Sequence, residues 1–168
     1  MKKLIFIFCI SLLLVSCSSK GSPLDYMESV QSTNLSAESG GLEVLNASEQ
    51  EVIKQRGEPL DRGEIQAKND QKDREVILEY DNYQYILAEG QVVSYSLKPG
   101  QETAKQLKIG DDEARITELY GENYYTRKQD KQSIKGYLDK ENKRVIEFIV
   151  DQNKVAMVIV SELSWFNK

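Results

Sequence analysis

Hydrophobic and polar residues alternate with a period of two through two separate stretches of the chain. In the first, "EVILEY", "YQYILAE" and "VVSYSLK" (residues 75–98) read as strands joined by the turn dipeptides "DN" and "GQ". In the second, "IKGYLD", "RVIEFIVD" and "KVAMVIV" (residues 134–160) are separated by "KENK" and "QN". A weaker strand precedes each set, "RGEIQAK" in one and "YYTRKQ" in the other. Ahead of each set lies a short helical pattern. Ser48 followed by Glu51 has capping-box spacing, Asp111 or Asp112 can cap the second helix, and Gly57 and Gly121 stand where helices end. Pro59 prevents continuation, and Val52, Ile53, Ile116, Leu119 and Tyr120 form apolar faces for packing.

The two stretches also match each other. "LNASEQEVIKQRGEP" and "IGDDEARITELYGEN" superpose at a shift of 64 positions, pairing Leu45 with Ile109, Val52 with Ile116, and Gly57-Glu58 with Gly121-Glu122. Repetition of a whole unit follows. The expected fold class is α+β: two tandem repeats, each a short helix followed by a three- to four-stranded antiparallel meander. The expected domains are a signal peptide (1–16), a lipidated cysteine with a flexible tether (17–41), repeat 1 (42–100), and repeat 2 with a C-terminal tail (101–168).

The N-terminus changes the picture. Lys2 and Lys3 precede a twelve-residue apolar run, Leu4 to Val15, which has the shape of a secretory signal and is too short to span a bilayer. Leu14, Val15, Ser16 and Cys17 resemble the lipobox of the bacterial lipoprotein family. That resemblance implies a diacylglycerol thioether on Cys17 and cleavage before it. Two acyl chains anchor stably where one does not. Cys9 would leave with the signal, so no thiol remains for a disulfide or a nucleophile. The segment "SSKGSPLDYMESVQSTNLSAESGG" reads as a flexible coil with a mean span of roughly 27 Å. Leu24, Tyr26, Met27 and Val30 within it suit a helical turn or a docking segment.

A short helix, then "G-x-P", then a tyrosine-containing strand and a glycine hairpin resembles the tandem fold of the β-lactamase inhibitor protein. It is similar, too, to the small lipoproteins of the outer-membrane barrel assembly machinery and to the CAP-associated domain of Gram-positive exported proteins. The matching residues are Val52, Gly57, Glu58, Pro59, Tyr80, Gly90 and Val92, then Ile116, Gly121, Glu122, Tyr137, Lys154 and Val155. Asn123 departs from the pattern by replacing the proline, and Asn46 stands where the second copy has Gly110. The resemblance covers residues 42–161 and implies a binding or assembly module without catalysis.

The chemistry present agrees with that implication. The chain holds no histidine, which removes the commonest general base and metal ligand together. Asp111, Asp112 and Glu113 fit a helix start. Asp70, Asp73 and Glu75, and Asp139 with Glu141, lie among lysines in turns, and no calcium-loop spacing occurs. "Asn46-Ala47-Ser48" is a formal glycosylation sequon that a helix start explains better. No cofactor or metal site is expected. Net charge is −5; without Lys2 and Lys3, 20 basic residues face 27 acidic ones, a net −7, so nucleic acid is not an expected partner.

Nine tyrosines remain to be explained. Tyr83, Tyr85 and Leu87 share one strand face while Ile86 and Ala88 share the other, so both faces carry apolar atoms. Such a strand needs a second cover: the other repeat or the tail with Trp165 and Phe166, the seam between repeats, or an outside partner. The expectation is a lipid-anchored protein on the extracytoplasmic face of the cell membrane that recognises an envelope or secreted protein through Tyr83, Tyr85 and Tyr95. A small-ligand or cell-wall-glycan binder is the alternative, in which the same aromatics would stack on sugars.

Overall fold

The computed structural model describes residues 21–38, 45–66, 74–129 and 132–167. Eight strands follow one another in two sets: β1 (Asp61–Gln66), β2 (Arg74–Glu79), β3 (Tyr83–Ala88) and β4 (Gln91–Leu97), then β5 (Tyr125–Gln129), β6 (Gln132–Asp139), β7 (Arg144–Asp151) and β8 (Lys154–Glu162). Each set is a meander in which every strand pairs antiparallel with the next, and two-residue loops, which favour hairpins, close β3–β4 and β7–β8. Glu89 and Gly90, and Gln152 and Asn153, both take positive φ, which matches the twist of the flanking strands.

The expected α+β layout of two tandem helix-plus-meander repeats is corrected by the strand order. The sheet is a single eight-stranded antiparallel one, ordered β1-β2-β3-β4-β8-β7-β6-β5. Ser94, Tyr95 and Ser96 of β4 pair with Ser161, Val160 and Ile159 of β8. The physical reason is the edge. Two independent meanders would leave β4 and β8 with unpaired backbone groups, and joining them removes two of four exposed edges. The serine hydroxyls of Ser94 and Ser161 lie 2.8 Å apart and buried, so the seam closes without an unpaired polar group.

Two short helices, α1 (Glu49–Arg56) and α2 (Ala114–Tyr120), supply the helical content. In α1 the expected capping box forms: the Ser48 N–H donates to Glu51 Oε2 at 2.7 Å, and the Glu51 N–H donates to Ser48 Oγ at 3.3 Å. In α2 it does not. Glu113 occupies the N-cap without a side-chain bond, while Asp111 accepts from the Lys108 N–H and Asp112 pairs with Lys154 at 2.7 Å. Both helices end on a glycine with φ near +81° or +88° and ψ of −173°, a conformation essentially confined to glycine.

One core crosses the expected boundary at residue 100. Val52 and Ile116 from the helices join Leu78, Tyr85, Leu87 and Tyr95 from one set of strands and Tyr137, Ile146, Phe148 and Val160 from the other. A second, smaller cluster sits on the opposite face, where Tyr125, Leu138, Val145 and Leu163 are packed by Leu24, Tyr26, Met27, Val30 and Phe166. The four apolar residues of the N-terminal segment thus make a turn and dock: Pro23–Tyr26 is a 3-10 turn opened by Ser22. The C-terminal Leu163–Phe166 is a second 3-10 turn on the same face, from which Trp165 Nε1 reaches Glu75 at 3.4 Å.

Candidate functional site

The expected contact tyrosines are core residues. Tyr83, Tyr85 and Tyr95 are buried to 7%, 0% and 1% exposure on the sheet face that the helices cover. Their rings lie 6.0 to 6.5 Å apart, and the Arg56 guanidinium stands 4.7 Å from the Tyr83 ring centroid. Burial raises the Tyr83 and Tyr85 hydroxyl pKa values, as expected for phenols out of water. The cover is internal: α1 and the neighbouring strands take the place that an outside partner would have filled.

Groups able to do chemistry are dispersed. Among the described residues no three His, Cys, Asp or Glu side chains come together as a metal site. Asp139 instead holds backbone, accepting from the Leu35 N–H at 2.7 Å, the Asn142 N–H at 2.9 Å and the Asn142 amide at 2.8 Å. Asn46 takes positive φ just ahead of α1, as Gly110 does ahead of α2, and asparagine and glycine are the residues that tolerate it best. An open hollow of about 480 Å³ is lined by Asp112, Glu113, Ala114, Lys135 and Asn153. Its charges are already paired, Lys135 with Glu113 at 3.2 Å and Asp112 with Lys154. Cys17, Asp70 and Asp73 lie outside the described residues.

A surface able to receive a partner stands at one end of the sheet. Among the described residues β1 is the terminal strand, and Leu60 just before it and Ile65 on it are 68% and 48% exposed, two of the three strongly exposed large hydrophobics there. An exposed ion pair ties the strand to α1: Arg62 donates to Glu49 at 2.6 Å, and also to Glu64 of β1 itself at 3.0 Å. A terminal strand with apolar side chains beside it is a template for strand addition. Sequence reasoning marked "RGEIQAK" only as a weak strand. Its signal was the isolated Ile65 in a polar run, which an internal strand would have matched with further apolar residues.

The other end of the sheet is occupied. Glu147 on β7 accepts a bidentate bond from Arg127 of β5, with both oxygens at 2.7 Å, and a further bond from the Tyr125 hydroxyl at 2.6 Å. Arg127 and Glu147 side chains are only 8% and 7% exposed. Hydrogen bonding to Glu147 raises the Arg127 pKa, and burial with the nearby Glu147 charge raises that of Tyr125. The first part of the N-terminal segment, residues 21–30, lies over this cluster. Tyr26 stacks on Tyr125 at 4.4 Å and 15°, its hydroxyl donates to the Thr126 carbonyl at 3.0 Å, and Arg127 donates to the Gly21 carbonyl at 3.4 Å. The segment then runs past the end of β6, where the Thr33 N–H meets the Leu138 carbonyl at 2.7 Å. It buries Leu35 in the main core, and Glu38 accepts from the Tyr120 hydroxyl at 2.6 Å.

No protein-family model matches the chain. No curated protein matches it either. Among solved structures it is similar to an extracellular protein containing an SCP domain from Bacillus anthracis str. Ames, at 14% identity and a TM-score of 0.48 over 71% of this chain and 44% of that one. It is similar to a cysteine-rich secretory protein from Staphylococcus aureus subsp. aureus Mu50, at 16% identity and a TM-score of 0.47 over 73% and 46%. A third similarity, to a beta-lactamase inhibitor-like protein from Streptococcus mutans, has 16% identity and a TM-score of 0.29 over 70% and 83%. The matched part of each of the first two is less than half of its length. Among the described residues no helix is long and apolar enough to cross a membrane.

Proposed function

We propose that this chain is a lipoprotein held on the extracytoplasmic face of the cell membrane through Cys17, and that it recognises an envelope or secreted protein without catalysing a reaction. The observation that carries the reading is the β1 edge, terminal among the described strands, with Leu60 and Ile65 exposed beside it. A partner presenting an extended segment would pair with the β1 backbone and cover both side chains, main-chain bonds giving affinity and the two apolar contacts giving selectivity. The surface proposed from sequence alone, at Tyr83, Tyr85 and Tyr95, is replaced by this edge. The lipobox residues Leu14 to Cys17 support the anchor, and the absence of histidine supports a role in binding.

The test is a pull-down from membranes with the intact chain, beside Leu60→Asp and Ile65→Asp forms and a Cys17→Ala form. The reading expects one protein to copurify, its capture weakened at least about tenfold by either β1 change, the loss typical of a central interface side chain. It also expects Cys17→Ala to leave the membrane fraction. Capture that is unchanged by both β1 substitutions would remove the proposed edge.

A further inference from the structure

We infer that the N-terminal segment is a strap that stands the sheet upright on the membrane, with the β5 edge against the bilayer and the β1 edge pointing away from it. The inference rests on the lipid anchor proposed at Cys17. It begins with a length. Cys17 precedes Gly21 by four residues, a contour of at most about 14 Å even when fully extended. From Gly21 onward the chain is bound to the body, by Arg127 at the Gly21 carbonyl, by Tyr26 on Tyr125 and by Leu35 in the core. Asp25 adds a local lock, accepting from the Gly21 and Ser22 N–H groups at 3.0 Å each. The leash is therefore about half the roughly 27 Å expected of a free 24-residue coil.

Where the leash attaches decides the orientation. Arg127, Thr126 and Tyr125, the residues that grip the strap, all belong to β5, the terminal strand at the far end from β1. Seven strand spacings of about 4.8 Å separate those two edges, about 34 Å in a flat sheet. The short leash keeps the β5 edge near the bilayer, and the net −7 of the chain after Lys3 disfavours bringing the rest of the sheet down onto anionic lipid. The partner-binding edge is thereby carried outward to where an envelope or secreted protein meets it.

Energy transfer to the membrane tests this. Two forms of the full chain carry a donor fluorophore on an introduced cysteine, Lys128→Cys on β5 or Asp61→Cys on β1, both exposed positions. They are inserted through their lipid into vesicles of phosphatidylglycerol and phosphatidylethanolamine with acceptor-labelled headgroups. The upright strap predicts transfer from position 128 at least about twofold greater than from position 61, given the ~34 Å between the edges. A flexible Gly/Ser insertion of about a dozen residues between Lys20 and Gly21 frees the leash and is expected to bring the two signals together. Equal transfer from a lipidated chain without the insertion overturns the orientation while leaving the anchor in place. A chain whose intact mass shows no lipid and that fails to float with the vesicles overturns both.

Discussion

Asp139 shows how a single carboxylate ties distant parts of this chain together. It ends β6, closes the β6–β7 turn through Asn142 and holds the strap through the Leu35 N–H. Burial alone raises its pKa, but the N–H donors from Asn142 and Leu35 outweigh burial and leave it below the usual aspartate value. Folded protein then binds fewer protons at this site than unfolded chain in acid. Its contribution is complete above about pH 5 and is lost as pH falls through the ordinary value near 4 and below. Glu162 works in the opposite sense, because burial raises its pKa, and its effect on stability declines as pH rises through the carboxylate range. Denaturant titrations between pH 5 and pH 3 are expected to show wild-type stability falling more steeply than that of Asp139→Asn; parallel curves would contradict the role given to Asp139. At this scale the sequence was partly legible. Glu147, inside the apolar run "RVIEFIVD", went unmarked in the sequence, and nothing local identifies Arg127, twenty residues earlier, as its partner. The alternation in "YQYILAE" separated Tyr83 and Tyr85 from Ile86, but with apolar atoms on both faces it did not say which face the helices would take.

At the scale of elements, local chemistry was read well wherever one short motif suffices. Ser48 and Glu51 cap α1, the expected Gln152-Asn153 makes a tight hairpin, and the turn expected at Gly90-Gln91 falls one residue earlier, at Glu89-Gly90, because Gln91 already pairs in β4. Gly57 and Gly121 end their helices, and each glycine carbonyl also receives a tyrosine hydroxyl, from Tyr80 at 2.9 Å and from Tyr137 at 2.8 Å. The corresponding tyrosines were legible as a shared motif, although their hydrogen bonds were not. A methyl group at Gly121 meets open space, so the cost of Gly121→Ala is backbone strain at φ +88° and ψ −173°. Thermal melts are expected to show a loss of about 1–3 kcal/mol. Gly63→Ala, at an ordinary φ with equal room, serves as the control and is expected to be neutral or slightly stabilising. Equal effects at the two sites would contradict the assignment of strain to Gly121. The failure at this scale was α2, whose two candidate caps were drawn off by contacts outside the helix, Asp111 by the Lys108 N–H and Asp112 by Lys154.

The whole molecule was least legible because its defining contacts join residues far apart in sequence. Nothing in "VVSYSLK" says that Ser94 will pair with Ser161, and this seam turns two meanders into one sheet around one core. The strap was equally hidden. Leu24, Tyr26, Met27 and Val30 offered a docking pattern, but their seat on Tyr125, Leu138 and Val145 exists only once β5, β6 and β7 are aligned. What emerges is a sheet with two unlike ends, one gripped by the strap at β5 and one that ends at β1 among the described residues. The proposal that the β1 end recognises a protein is tested most directly by placing a photoreactive amino acid at position 65, beside the exposed control position 118 on α2, in cells carrying the intact chain. The account predicts an adduct of one defined size from position 65 and none from position 118. No adduct from position 65, or the same adducts from both positions, would contradict it.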